Sequence, residues 1–256
     1  MTSIRGRVTS AVSRLYQIRD GDVRSVRARL RSMGGEGTDV SGLLPPHEGR
    51  GRADDWLVDL ALRLIPRSRL APLLMLEQRG APAWVSMWPG EHYRLLAGLM
   101  LELQPRRVVE IGTFTGLSAI AMIPFLPAGG ELVTFDVIPW AAIPDTYLRR
   151  EDFDDGRLRQ ILGDLGDRAV ARHSVELPRD ADLIFLDAAK DGRLEREILS
   201  RFEEVGLKPD ALVVLDDIRV WNMLTTWRDI PRPKLDLTSF GHYSGTGLIH
   251  WTVPDA

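Results

Sequence analysis

The chain has 256 residues, 44% of them hydrophobic and 27% charged, enough for one α/β domain with an N-terminal extension. Its formal net charge of −3 excludes a global attraction to nucleic acid or anionic lipid. The absence of cysteine excludes disulfide frameworks, thiol nucleophiles and thiolate metal centres, and the five histidines are scattered in sequence, so carboxylate chemistry with a hard cation is the expected metal chemistry.

Residues 1–32 carry arginines at 5, 7, 14, 19, 24, 27, 29 and 31 against only Asp20 and Asp22, with Val8, Val12, Leu15 and Ile18 at helical spacing. The pattern predicts a basic amphipathic helix. Packing on the main domain or on a second copy is the favoured reading, ahead of a membrane or nucleic-acid arm, so a homodimer through the N-terminal helices is expected. No apolar leader opens the chain, and the longest apolar run, Leu117–Leu126, holds Ser118 and Pro124 and is too short to span a bilayer. Cytoplasmic location without stable membrane insertion is the expectation. A Gly/Pro/Ser-rich linker follows near residues 34–52, then short helices over Trp56–Ile65 and Leu70–Leu76. The chain thus divides into an extension and cap over 1–86 and a main domain over 87–256.

Glu91–Leu103 reads as a helix with Leu95, Leu96, Leu99 and Met100 on one stripe. Five apolar runs separated by helical stretches follow: Arg107–Ile111, Glu131–Phe135, Leu158–Leu162, Asp182–Leu186 and Ala211–Leu215. Two more, Leu235–Phe240 and Gly247–Trp251, lack an intervening helix and read as a closing hairpin. The alternation predicts a doubly wound, seven-stranded Rossmann-like sheet, mostly parallel with an antiparallel last strand.

Ligands of such sheets gather beyond the carboxyl ends of the strands. The first strand runs into Glu110-Ile-Gly-Thr-Phe-Thr-Gly116 and the helix Leu117–Phe125. The spacing G-x-x-x-G differs from the G-x-G-x-x-G of dinucleotide sites. Glu110 would repel a pyrophosphate but attract the ammonium or sulfonium of S-adenosylmethionine (SAM). The second strand ends at Asp136, twenty residues after Gly116, where an acid can accept from both ribose hydroxyls. A nucleotide binder with unrelated acids is the competing reading.

Val109–Ala119, with its string Val-Glu-Ile-Gly-Thr-Phe-Thr-Gly, resembles the first motif of the catechol and caffeoyl-CoA O-methyltransferase superfamily of class I SAM-dependent enzymes. The resemblance runs from about Met87 to Trp251. It implies that Glu110, Gly112, Thr113, Phe114, Gly116, Ser118 and Asp136 hold SAM, with further contacts from Val85–Met87. It implies an adenine-binding turn at Gly163-Asp164-Leu165, although Asp164 also suits a helix N-cap.

The fourth and fifth strands end in Leu-Asp187-Ala-Ala-Lys190-Asp and Leu-Asp216-Asp217. Three acids delivered to one edge repel one another, and a divalent cation removes that penalty. Asp187, Asp216 and Asp217 are therefore candidate ligands for Mg²⁺, or another divalent cation. Asp187 also lies at the expected cofactor edge. Only three lysines, Lys190, Lys208 and Lys234, stand among many arginines, and lysine can lose its proton where arginine cannot. Lys190, three residues after Asp187, is the candidate general base, for which its pKa must be depressed. The Leu-Asp-Ala-Ala-Lys-Asp segment is similar to the one that supplies a metal ligand and a lysine base in the metal-dependent members, although Asp216-Asp217 replaces their usual Asp-Asn and leaves a catechol-type substrate in doubt. The competing reading makes these acids loop caps, Lys190 a solvated residue and Lys208 part of a turn.

Trp221, Met223 and Trp227 either wall the acceptor pocket or pack on the sheet. His242 and Tyr243 are not counted as catalytic. The expected activity is metal-assisted methyl transfer from SAM to a hydroxyl of a small molecule: a phenolic, a sugar or a natural-product intermediate. Its rivals are metal-independent N- or O-methylation and a non-catalytic SAM-binding scaffold. No nucleic-acid substrate is expected.

Overall fold

The computed structural model describes residues 51–252. The basic helix expected over residues 1–32, and nearly all of the 34–52 linker, lie outside them. The described chain opens with α1 (Asp55–Leu70), α2 (Leu74–Gln78) and α3 (Tyr93–Leu103). It continues through β1 (Arg107–Ile111), α4 (Leu117–Met122), β2 (Glu131–Asp136), β3 (Leu158–Leu162), α5 (Arg168–His173), α6 (Glu176–Arg179) and β4 (Leu183–Leu186). It closes with α7 (Arg193–Val205), β5 (Ala211–Asp216), α8 (Met223–Asp229), β6 (Lys234–Asp236) and β7 (Thr246–Trp251).

The strands form one sheet of seven in the order β3-β2-β1-β4-β5-β7-β6. Strands β1 to β5 pair in parallel, and β7 runs antiparallel to both β5 and β6. This is the doubly wound, mostly parallel sheet that the alternation predicts. Both faces are covered, which is why the central strands read as unbroken apolar runs. Side chains alternate across the sheet. Val108, Leu183, Phe185, Leu212 and Val214 join the core under α1 and α3. Val109, Ile111, Ile184, Leu186, Val213 and Leu215 join the opposite core with Ile198 and Phe202 of α7.

Helix α1 starts where the Asp54 carboxylate accepts the Leu57 N–H at 2.9 Å, an N-cap. Its buried face, Leu57, Leu60, Leu64 and Ser68, lies on α3, where Gly98 leaves room for Ser68: a Cβ there would stand 2.2 Å from the Ser68 hydroxyl. Each fully buried leucine contributes about 1.5–3 kcal/mol, so these helices share one core with the sheet. Helix α4 stops at Met122, short of the expected Phe125. Pro124 lacks the N–H that would continue the ladder, and Ile123–Phe125 tightens into a 3-10 turn. No helix among the described residues is long and apolar enough to cross a membrane.

The topology sets the site. Strands β1, β4 and β5 are neighbours, so Glu110–Gly112, Asp187 and Asp216 emerge along one carboxyl edge. Antiparallel β7 then returns the chain to that edge, where Thr246 pairs with Asp216.

Candidate active site

The turn after β1 is built on two glycines. Gly112 has φ +104°, and a Cβ there would stand 1.9 Å from the Asp187 carbonyl oxygen. The close approach of β4's end thus demands glycine, whatever ligand binds. Gly112→Ala is expected to lower stability by about 2–4 kcal/mol, through left-handed strain and that clash. A thermal melt checks this, and an unchanged Tm contradicts it. Gly116, at φ +81°, carries the chain over the Leu148 side chain, 2.2 Å from where its Cβ would lie.

Between them, Thr113 is buried, its hydroxyl 2.7 Å from that of Thr134 and accepting from Gln160 at 3.1 Å. Phe114 is 44% exposed, with its N–H donating to Asp136 Oδ2 at 2.9 Å. Asp136 Oδ1 accepts the Ile138 N–H at 3.0 Å. Asp136 therefore fixes the loop while one lone pair per oxygen stays available. Around it the apolar side chains of Phe114, Val137, Ile138 and Leu162 are exposed at the ends of β1, β2 and β3. Gly163 packs on Val170, and Asp164 accepts the Gly166 N–H at 2.7 Å. Asp167, not Asp164, caps α5.

Glu110 is fully buried. One oxygen accepts the Ser118 hydroxyl proton, and the other, Oε2, has no hydrogen-bond partner. Burial pushes its pKa up to about 7, against the hydrogen bond from Ser118 that lowers it. A buried carboxylate oxygen without a donor is costly, and native structures rarely leave one so.

Along the same edge, four carboxylates meet. The Lys190 ammonium lies 3.2 Å from Asp187 Oδ1 and pairs more closely with Asp217 Oδ2. His242 Nδ1 lies 3.1 Å from Asp216 and 3.4 Å from Asp217, and its Nε2 lies 3.2 Å from Glu91. Ser244 donates to Asp217, and Thr246 to Asp216 at 3.3 Å. Behind them His92 is 3% exposed, and neither of its ring nitrogens has a partner. Glu91, Asp216 and Asp217 are also buried.

Burial raises the Asp187 carboxyl, against the opposing Lys190. Burial also pushes Asp217 up, but hydrogen bonds from His242, Lys190 and Ser244 outweigh it and hold Asp217 well below the carboxylate range. Burial lowers His92 to about 4, leaving its imidazole neutral. Burial would lower His242 too, but Asp216 and Asp217 carry it up to about 10, so it is a cation near neutral pH. Lys190 departs from the sequence expectation. Burial acts to depress it, but Asp187 and Asp217 overcome that and raise it above the ordinary lysine value. Its ammonium lies between the acids that were expected to share a cation.

The chain pays for this geometry in strain. Four of the seven non-glycine residues with positive φ among the described residues stand on this rim: Phe114, Lys190, Asp217 and Trp221. Such conformations persist where surrounding structure over-determines them. At Lys190 the agent is Glu195, a buried acid whose oxygens accept the Lys190 and Gly192 N–H groups at 2.6 and 2.9 Å.

Comparison with known proteins fits this edge. Residues 109–218, from β1 to just past β5, match the methyltransferase domain family Methyltransf_24. Over these residues the chain is similar to a methyltransferase domain. It is 37% identical over 95 residues to mouse catechol O-methyltransferase domain-containing protein 1, covering 37% of this chain and 34% of that protein. It is 30% identical over 128 residues to mouse catechol O-methyltransferase, covering 48% and 46% respectively. The chain thus spans less than half the length of these curated relatives. A solved structure of a methyltransferase from Podospora anserina has the same fold, with a TM-score of 0.51 at 18% identity, covering 84% of this chain and all of that one.

Not every expected residue reaches the rim. Val85 is buried in the core, whereas Met87 is 57% exposed. Met223 and Trp227 are buried in the core beside α7, with Trp227 against Gly247, so only Trp221, 57% exposed, remains to wall a pocket. Lys208 pairs with Asp182, and Lys234 is buried, donating to the carbonyls of Trp227, Arg228 and Ile230 at the end of α8. The fold brings together two of the histidines that are scattered in sequence. His92 precedes α3, His242 precedes β7, and the fold brings their rings to 4.9 Å. The expected ligand trio lies on this rim with two histidines beside it. Asp187 and Asp216 converge with His92, and Asp216 and Asp217 with His242, while Lys190 lies between Asp187 and Asp217.

Proposed function

We propose that this domain transfers the methyl group of SAM to a hydroxyl of a small molecule, with assistance from a divalent cation. The observation that carries the reading is the pairing, on one sheet edge, of the unpartnered Glu110 Oε2 with the Asp187, Lys190, Asp216 and Asp217 cluster. The buried carboxylate suits the SAM ammonium, Asp136 the ribose hydroxyls, and the exposed Phe114, Ile138 and Leu162 side chains a flat base beside Gly163 and Asp164. We assign Gly112, Thr113, Gly116 and Ser118 to that cradle and the exposed Met87 to its border.

In the transfer, the acceptor oxygen forms a bond to the methyl carbon as the carbon–sulfur bond breaks, its electron pair returning to sulfur. A cation held by acids of this cluster would lower the hydroxyl pKa and fix the acceptor orientation. We assign proton removal to Lys190. For that role a bound cation would have to relieve Lys190 of Asp187, leaving burial, which acts against the charged amine, with less to oppose it. Glu195 positions the lysine through its backbone. We assign residues 87–256 to the transferase domain and 1–86 to an extension and cap, and the catechol O-methyltransferase relatives support a small hydroxylated acceptor.

A metal-independent reading draws on the same observation from the other side, since Lys190 and His242 already oppose four acids. Chelator separates the two. Turnover is expected to vanish in EDTA and return on adding a divalent cation, whereas full turnover in EDTA would leave methyl transfer standing and remove its metal.

A further inference from the structure

Resting on the metal-assisted reading, we propose that the cation site is built by His92 with Asp187 and Asp216, and that it takes a first-row transition ion, Mn²⁺ to Zn²⁺, in preference to Mg²⁺. One nitrogen and two carboxylate oxygens of these residues lie within 4.8 Å of one another. Acids alone would not argue for an ion. The deciding feature is His92, which is 3% exposed with both ring nitrogens unpartnered.

Its Nδ1 stands 3.6 Å from Asp216 Oδ2, too long for a hydrogen bond. The ring is held by Tyr93 and Phe185, at 4.3 and 5.4 Å between centroids. A rigid, buried imidazole with nothing to bond, facing two carboxylates, is a preformed nitrogen ligand. The donor set then decides the ion. Mg²⁺ favours oxygen in near-octahedral geometry and keeps its waters, whereas imidazole suits the first-row transition ions. Three protein ligands leave positions open for an acceptor oxygen, and the two carboxylates would exchange Lys190 and His242 for the ion.

The test needs no turnover. The full chain, freed of metal by chelation, is titrated calorimetrically with Mn²⁺, Co²⁺ and Mg²⁺, and the Mn²⁺-loaded protein is examined by pulsed EPR. We expect one Mn²⁺ or Co²⁺ per chain at least about 100-fold tighter than Mg²⁺, and imidazole ¹⁴N coupling to the bound Mn²⁺. His92→Gln, which keeps an oxygen donor, should weaken Co²⁺ binding about 100-fold or more with little change for Mg²⁺. The wild-type EPR spectrum stands even if that variant fails to fold. Equal affinities, or bound Mn²⁺ without nitrogen coupling, would overturn the histidine site and leave an oxygen-only metal centre in place. Failure of every cation to bind would overturn the metal-assisted reading as well.

Discussion

Lys190→Ala is expected to lower kcat by about 100- to 10,000-fold, the range lost with a general base, while SAM affinity stays within about threefold. The lysine touches Asp187 and Asp217, not the glycine turn, so its loss should fall on the proton transfer. Lys190→Arg distinguishes a base from a simple counter-charge. Arginine keeps the charge that holds the two acids but cannot give up its proton near neutral pH. Steady-state kinetics with calorimetric SAM binding checks both variants. Recovery of kcat in Lys190→Arg, or equal losses of kcat and SAM affinity in Lys190→Ala, would remove the base assignment and leave an electrostatic anchor.

Glu110→Gln should weaken SAM binding about 10- to 150-fold, because a hydrogen bond to a charged group contributes about 1.5–3 kcal/mol. The pH dependence is the sharper signature. Burial pushes Glu110 up to about 7, so the empty protein holds it largely protonated below that pH. SAM affinity should rise as pH increases toward 7 and level off above it, and Glu110→Gln should flatten this profile. Stability moves in the opposite direction. A folded-state pKa above the unfolded value means that the folded chain binds more protons, so the Glu110 contribution is fully present below about 4.5 and lost as pH rises through about 7. Glu110→Gln should therefore raise Tm at pH 8 while weakening SAM binding. A lower Tm there, with an unchanged SAM profile, would mean that the carboxylate serves packing alone.

Much of the sheet was legible because its strands are buried on both faces. Such runs carry a signal that needs no knowledge of their neighbours. The strands Arg107–Ile111 and Leu158–Leu162 coincide with the predicted spans. The last hairpin was less legible. Leu235–Phe240 looks like a strand, yet pairing ends at Asp236, whose carboxylate accepts the Thr238 N–H at 2.8 Å and turns the chain. Local side-chain capping competes there with the ladder.

The acids at the strand ends were legible for the same reason as the strands: a strand's last residue reaches the carboxyl edge wherever it lies in a parallel sheet. Glu91, His92 and His242 were not. Their convergence depends on antiparallel β7 against β5 and on the bridge between Gly90 and His242, long-range pairings with no local pattern. The lysine charge was misjudged for a related reason. Residue type announces what Lys190 can do, but its protonation depends on how closely Asp187 and Asp217 approach it.

The account rests most directly on one measurement: incubation of the full chain with methyl-labelled SAM, a divalent cation and a panel of small hydroxylated molecules, followed by mass spectrometry of the products. The account predicts label on an acceptor oxygen, with loss of that product in Lys190→Ala and Glu110→Gln. Tight SAM binding with label found only on nitrogen, or on no acceptor in any of these conditions, would contradict it.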